Sequence, residues 1–484
     1  MNRMLKNKSI TIVGGGTAGL VTALLIKERT SYNVKLIKSD KIGIIGVGEG
    51  STEHWEDFMS VARLNMWEML KETDATLKLG IYFKDWTDKP YYHNVNHFLK
   101  NKIGQFPVGI SLNYVKGIEQ IKCTDYYNIE NKIEYLKDTS PSRQFHFNTV
   151  KLNTWLLKKC GEREIEVTDD EILDVLINEN GIDTLKGKKN DYKSDFYIDC
   201  TGFKRLLISK LGAKWKSYSK YLKLNEAIAF PTGDTENYTP FTTATAMSSG
   251  WMWNIPVWGR HGNGYIFDNN FTTTEQAKLE VETKLGHQIE IAKNIKFEPG
   301  ALDTPWIKNC MATGLAANFV EPLEASSIAT TINQTFIFLN HITHNEIEKF
   351  NNKMTAIMEN IRDYVALHYI VDRKDSEFWK NMKTVDLPDT LNEKLELWKN
   401  RFAIGDDFKN PDFLLFREDN FNHILYGINY CSKNGVQKTL DMYHDSLLSL
   451  CKGKNVEYSD NLDSYAKDNY ILHKKWLEKA RNVY

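Results

Sequence analysis

The pattern of apolar and polar positions changes character twice along this 484-residue chain. The N-terminal part reads as strand, helix, strand. Ser9–Val13 is a β-branched run that predicts a first strand. Over residues 17–29, Leu20, Ala23 and Leu24 fall at helical spacing and predict a helix, and 34–37 predicts a second strand. A βαβ opening implies a parallel sheet covered by helices. Four glycines then crowd into Gly43-Ile44-Ile45-Gly46-Val47-Gly48-Glu49-Gly50-Ser51-Thr52, a density that predicts a loop rather than a packed element. From about 90 to 340, short β-like runs such as Gly264-Tyr265-Ile266-Phe267 mix with turns. Beyond Leu323 the punctuation thins: proline stands only at Pro388 and Pro411, and amphipathic stretches such as 355–367 and 440–450 take over. Residues 341–484 therefore read as a mainly helical lobe following a core of 1–340. The fold class is α/β, with a GxGxxG Rossmann-like core, a region of mixed β-sheet and the helical C-terminal lobe.

Composition narrows the function classes. A formal net charge of −1 leaves no electrostatic footprint for nucleic acid or an anionic membrane. Aromatic residues, at 12%, are rich enough to line a pocket for planar rings. Cys123, Cys160, Cys200, Cys310, Cys431 and Cys451 have no CxxC spacing and no accompanying histidine cluster. That argues against a disulfide framework and against a bound metal, and for idle thiols in a reducing compartment. No apolar signal core opens the chain and no run is long enough to span a bilayer, so the cytoplasm is the expected location and no membrane partner is expected. Abundant lysine and asparagine hint at an AT-rich genome, such as a viral one.

The first candidate site is Ile12-Val13-Gly14-Gly15-Gly16-Thr17-Ala18-Gly19-Leu20, a GxGxxG turn between strand and helix. Gly14 allows the tight turn, Gly16 lets the backbone approach a pyrophosphate, and Gly19 lets the helix pack close to the strand. Thr17 and Ala18 open the helix, whose free N–H groups and partial positive charge favour phosphate. An acidic residue is expected about 20 positions on, to accept the ribose hydroxyls. Lys38 stands there instead, followed by Ser39 and Asp40, so the glycines alone do not choose FAD over NADP.

The second candidate is Gly250-Trp251-Met252-Trp253-Asn254-Ile255-Pro256. In a strand Trp251 and Trp253 face the same side, and a bare WxW is most simply two core aromatics. Taken with the glycine turn, in this order and spacing, the block resembles the flavin-dependent halogenases, the group that includes the tryptophan halogenases. Their signature is GxGxxG followed at a distance by WxWxIP. Arg260-His261-Gly262-Asn263-Gly264-Tyr265 extends the resemblance. Asp199-Cys200-Thr201-Gly202-Phe203, after the apolar run 196–198, is similar to the segment with which such flavoproteins return to FAD. No second GxGxxG follows a strand, so electrons are expected on FADH2 made by a separate NAD(P)H-dependent flavin reductase.

The resemblance implies roles for single residues. FAD would also touch Gly46, Val47, Gly48 and Glu49. The two tryptophans would line the space between flavin and substrate. Lys78, in Thr76-Leu77-Lys78-Leu79-Gly80-Ile81, reads locally as a surface lysine that snorkels past its apolar neighbours. The resemblance makes it catalytic, the group that carries hypohalous acid to the substrate, and Phe83-Lys84-Asp85-Trp86 beyond it supports the match. Glu324, in Phe319-Val320-Glu321-Pro322-Leu323-Glu324, reads locally as an exposed acid near a helix start. By resemblance it is the catalytic carboxylate that takes the ring proton. Ala325-Ser326-Ser327 replaces the family's Ser-Thr-Gly, and the backbone N–H groups of Ser326 and Ser327 would hold the chloride, bromide or iodide.

The substrate contacts depart from the family. Tyr92-His93-Asn94-Val95 falls where tryptophan halogenases have His-x-Phe, so His93 is retained and Val95 replaces an aromatic ring. Phe421 stands where they have Trp. These departures argue for a small aromatic substrate of the indole or phenol type other than free tryptophan, taken from a broad range. They also favour bromide or iodide over chloride. A flavin-dependent aromatic hydroxylase is the alternative reading of the same fold. The helical lobe 341–484 would cover the substrate over a box-like core of 1–340, and a homo-oligomer is expected.

Overall fold

The computed structural model describes residues 8–43, 49–95, 107–124, 126–135, 139–409 and 413–482. Two compact units share the chain. The first takes Met1–Ala75, Phe147–Ser219 and Glu298–Met358; the second takes Thr76–His146, Lys220–Phe297 and Glu359–Tyr484.

The first unit is built on a six-stranded sheet in the order Trp306–Ile307, Cys310–Ala312, Phe196–Asp199, Ser9–Val13, Asn33–Lys38, Glu166–Asp169. All neighbours run parallel except the Trp306–Ile307 edge. Ile12 lies between Ile198 and Leu36, and all three are wholly buried. Burial on both faces of a parallel sheet is why these strands read as apolar runs without alternation. The helix Thr17–Arg29 is buried nearly all round, with the helices Thr149–Glu162 and Ser326–His341 packed against it. Thr22 and Thr335 join two of these helices by a hydroxyl contact of 3.3 Å.

The second unit carries a seven-stranded sheet in the order Lys293–Lys296, Glu226–Thr232, Arg260–Phe267, Gly250–Val257, Phe241–Met247, Gly80–Lys84, Tyr91–Asn94. Only Gly80–Lys84 and Phe241–Met247 pair in parallel. One face packs Ile228, Phe230, Tyr265 and Phe267 against Ala277 and Val281 of the helix Thr274–Leu285. That helix starts with a Thr273/Gln276 capping box and stops at left-handed Gly286.

The expectation for 440–450 changes. One helix, Lys433–Leu440, ends there and another, Asp445–Asn469, begins. The break has a local cause: the His444 side chain accepts the Ser446 N–H at 3.2 Å and caps the second helix. The region after 341 also holds a strand, Tyr470–Leu472, paired antiparallel with Lys132–Glu134. All six cysteines are free, and among the described residues no group of three or more His, Cys, Asp or Glu could hold a metal. Among the described residues no helix is long and apolar enough to cross a membrane.

Candidate active site

In the first unit, three neighbouring strands end in glycine turns at the same edge of the parallel sheet. Ser9–Val13 runs into Gly14, whose φ of +125° suits only glycine and whose place beside the Cys200 carbonyl leaves no room for a Cβ. A Cβ on Gly19 would collide with the Gly14 carbonyl oxygen, so helix and turn meet backbone to backbone. Around Gly16, in contrast, a Cβ would find nothing within 4 Å among the described residues, and no side chain of theirs caps the helix that starts at Thr17. An open approach to uncapped N–H groups fits the pyrophosphate of a dinucleotide. Ala18 opens the same turn, and Thr17 Oγ1 accepts a hydrogen bond of 3.1 Å from Asn153. Phe196–Asp199 continues into Cys200-Thr201-Gly202. There the buried Asp199 carboxylate accepts the backbone N–H groups of Thr201, Leu207 and Ile208 and the Thr201 hydroxyl, at 2.6–2.9 Å.

The third turn escaped the sequence reading. Cys310–Ala312 ends in Thr313-Gly314, and Gly314, at φ +62°, sits between Ala18 and Thr331. Its signal was the Thr-Gly after a buried strand, the same signature as at Thr201-Gly202. At the ribose end, Lys38 lies over Gly15 and pairs with Asp40. The segment Gly46, Val47, Gly48 and the side chain of Glu49 lie outside the described residues; the backbone of Glu49 opens a two-residue strand.

Glu324 also belongs to the first unit. It closes the turn Pro322–Glu324 and is buried, at 2% exposure, which corrects its local reading as an exposed acid. Ala325 follows in the left-handed conformation, φ +53°, and the helix Ser326–His341 starts with no side-chain cap. Ser326 is buried and Ser327 exposed, and the N–H groups of this first turn have no partner further back in the helix.

Lys78 belongs to the second unit, and its local reading as a snorkelling surface residue is likewise corrected: it is 1% exposed. The strand Thr76–Leu77 pairs with Phe145–Phe147 so that Thr76 opposes His146 and Leu77 opposes Phe145. The Lys78 N–H extends the ladder to the Gln144 carbonyl at 2.9 Å. Side chains alternate across a strand, so Thr76, Lys78, Gln144 and His146 share one face. His146 is wholly buried. Its Nε2 meets Thr242 Oγ1 at 2.9 Å, and Thr76 donates to the carbonyl of Pro256, the last residue of the tryptophan block, at 2.6 Å. Burial, and then the positive charge of Lys78, hold His146 well below the ordinary imidazole range, so it is neutral at pH 7.

Trp251 and Trp253 lie on one strand with ring centroids 6.0 Å apart, both buried. Gly264, cross-strand from Trp253, leaves no room for a Cβ because the indole lies over it. The Trp253 Nε1 atom is buried with no hydrogen-bond partner among the described residues. His93 is held between Tyr364 Oη and the Asn420 side chain, each at 3.2 Å. Phe421 has no exposed surface; its ring packs among Tyr364, Trp398 and Phe408.

A dinucleotide cradle made of backbone in one unit, and a buried lysine beside a WxWxIP strand in the other, define a flavoprotein of the halogenase class. The chain belongs to the tryptophan halogenase family, which it matches over residues 9–443. It is 29% identical over 448 residues to tryptophan 6-halogenase SttH of Streptomyces toxytricini, covering 81% of this chain and 83% of that protein. With tryptophan 7-halogenase RebH of Lentzea aerocolonigenes it shares 26% identity, covering 88% of each. Among solved structures it is similar to Tar14, a tryptophan C-6 flavin-dependent halogenase from taromycin biosynthesis, with a TM-score of 0.86 and 25% identity, over 98% of this chain and 100% of that one. A tryptophan halogenase from Shewanella frigidimarina shares the fold, with a TM-score of 0.90 and 23% identity, over 99% and 98% of the two chains. The protein is thus an enzyme, a flavin-dependent halogenase of aromatic compounds that uses FADH2 and a halide.

Proposed function

We propose that this halogenase acts on an electron-rich small aromatic molecule of the indole or phenol type rather than on free tryptophan. The observation that carries this reading is the packing of Phe421. Its ring is spent on Tyr364, Trp398 and Phe408 and offers no open face to an indole. Val95, in place of a second ring, supports the same reading.

Bound FADH2, with oxygen, supplies the oxidising equivalents that turn a halide into hypohalous acid. Gly14, Gly16, Thr17, Ala18 and Gly19 hold the pyrophosphate of the cofactor, and Gly46, Val47, Gly48 and Glu49 touch it further along. Ser326 and Ser327 present N–H groups to the halide at a helix N-terminus. Trp251 and Trp253 wall off the flavin from the organic substrate. Lys78 receives the oxidant and presents the halogen to the ring, and Glu324 accepts the proton that the ring loses. His93 orients the substrate. Reduced flavin comes from a separate NAD(P)H-dependent reductase. Bromide and iodide, being easier to oxidise, are used in preference to chloride.

The test is a reaction with FAD, a flavin reductase, NADH and oxygen on a panel of indoles, phenols and free tryptophan. Each halide is run alone and then in equal mixture, with products read by mass spectrometry. Halogenated indoles or phenols with unmodified tryptophan uphold the substrate reading. Tryptophan as the best substrate overturns it, and chloride winning the mixture overturns the halide preference.

A further inference from the structure

The backbone that carries Lys78 is hydrogen-bonded at every step by segments far away in sequence. The Lys78 N–H donates to Gln144, and the Ser142 hydroxyl donates to the Lys78 carbonyl at 2.7 Å. The Leu79 N–H donates to the Pro240 carbonyl at 2.7 Å, and the Leu79 carbonyl accepts the Val95 N–H at 3.0 Å. Leu77 differs from these. It opposes Phe145, but Thr76–Leu77 is the edge strand of its small sheet, so a Leu77 N–H turned away from the ladder has no strand to meet. Left alone, that donor would be buried and unsatisfied.

A histidine near the C-terminus meets it. His473 Nε2 lies 3.2 Å from the Leu77 nitrogen, and the imidazole is wholly buried. A backbone N–H only donates, so Nε2 must accept, and the proton of the neutral ring sits on Nδ1. Burial holds His473 far below the ordinary imidazole range, at about 3, which keeps this acceptor available at any working pH. The histidine is itself anchored. Its N–H donates to the Asn131 carbonyl at 2.8 Å, at the end of the ladder between Tyr470–Leu472 and Lys132–Glu134. The next residue, Lys474, pairs with Asp234 at 3.0 Å and donates to the Thr235 carbonyl at 2.7 Å. His473 also lies outside residues 9–443, the stretch that carries the family match.

We propose that His473 is a positioning residue for Lys78: by accepting the Leu77 N–H it fixes, together with Ser142, the backbone from which the lysine side chain projects. This rests on the reading of Lys78 as the group that carries the halogen to the substrate. A lysine displaced by even an ångström loses its aim at the ring, while oxidation of the halide, which does not need it, continues. The signature is therefore leakage: oxidant is made and escapes.

The experiment uses the full-length enzyme with FAD, reductase, NADH and bromide, and compares wild type, His473→Gln, His473→Leu and Ser142→Ala. Two rates are read, halogenated product and oxidation of an added thioether that traps free hypobromous acid. Thermal melting checks the fold. His473→Leu is expected to lower kcat for product on the order of 10- to 100-fold, with KM for the aromatic substrate within about twofold and trapping undiminished. His473→Gln, whose amide oxygen can accept the same N–H, restores kcat, and Ser142→Ala lowers it in the same sense as His473→Leu. Unchanged kcat in folded His473→Leu overturns the proposal. So does a parallel fall of product and trapping, or a failure of glutamine to rescue. Should His473→Leu not fold, retained kcat in His473→Gln with leakage in Ser142→Ala upholds the proposal, and any other pattern overturns it. A wild type that makes no halogenated product but still oxidises bromide separates failure of the functional reading from failure of this one.

Discussion

The glycine turns of the first unit present backbone atoms, whereas the face around Lys78 in the second unit presents buried polar side chains. Gly14, Gly202 and Gly314 end three parallel strands in conformations with positive φ, and the N–H groups of two uncapped helices complete the arrangement. Around Lys78, by contrast, every support is reached from another part of the chain: Ser142, Gln144, His146, Pro240 and His473. A site made of backbone is sensitive to any atom added and indifferent to most atoms removed. A site made of buried polar side chains is the reverse, since removing one partner strands another. The two units should therefore fail under different substitutions.

The largest effect should separate them outright. On the role proposed for Lys78, Lys78→Ala is expected to lower halogenation at least about 100-fold. FAD affinity, followed by flavin fluorescence, should stay within about twofold of wild type because no atom of the glycine turn is touched. Persistent product formation would remove Lys78 from its assigned role. Gly19→Ala makes the opposite cut. Its methyl would meet the Gly14 carbonyl oxygen, and the overpacking should cost about 1–3 kcal/mol and weaken FAD binding by tenfold or more. Titration with FAD decides this, and unchanged affinity would mean that the turn can relax.

The backbone rule also applies at places in the second unit, and Gly264 sharpens the contrast. Gly264 is bare because the Trp253 indole lies against it. Gly264→Ala should displace that ring and destabilise the protein by about 1–3 kcal/mol without changing FAD affinity. Urea denaturation and tryptophan fluorescence read the two halves of this expectation. A variant that melted like wild type would show that the ring has another place to go.

How much of this was legible in the sequence follows the same division. Ser9–Val13 and Thr17–Arg29 were readable because glycine stands at fixed offsets from apolar runs, while the strand before Thr201-Gly202 gained its meaning from the family resemblance. Gly314 carries the same local mark as Gly202, a Thr-Gly after an apolar strand, and that mark is common to α/β proteins, so by itself it singles out neither turn. The Lys78 surroundings had no such mark. Locally the segment Leu77-Lys78-Leu79 is compatible with a surface strand, and it took the family resemblance to single the lysine out. Ser142, His146 and His473 were not legible at all. Each is polar, unremarked by its neighbours, and meaningful only through a contact between 64 and 396 residues away in the chain. The helix break at Asp441–His444 was missed for a smaller reason of the same type: one histidine side chain, capping the next helix, outweighed a plausible amphipathic pattern.

The same contrast predicts where acid acts first. Among the described residues the histidines with no exposed surface, His146, His368 and His473, all belong to the second unit. Burial lowers His473 to about 3 and, with the charge of Lys78, holds His146 well below the usual range. In the unfolded chain both titrate near 6.5. Above that pH neither state binds the proton and their contribution to stability is full. Below it the unfolded chain takes up protons that the native state refuses, so stability falls as pH falls, by about 1.4 kcal/mol per pH unit for each histidine. For His473 the loss continues down to its native value of about 3. Urea denaturation at pH 7.5, 6.5 and 5.5 should show a plateau and then this decline, and His473→Gln should remove one histidine's share of the slope. Hydrogen exchange at pH 5.5 should rise first around Thr76–Leu77, Phe145–Phe147 and Tyr470–Leu472, and later in the parallel sheet of the first unit. Exchange that accelerated equally in both units would show that the buried imidazoles do not govern the acid response, and a His473→Gln slope equal to that of wild type would say the same of His473 alone.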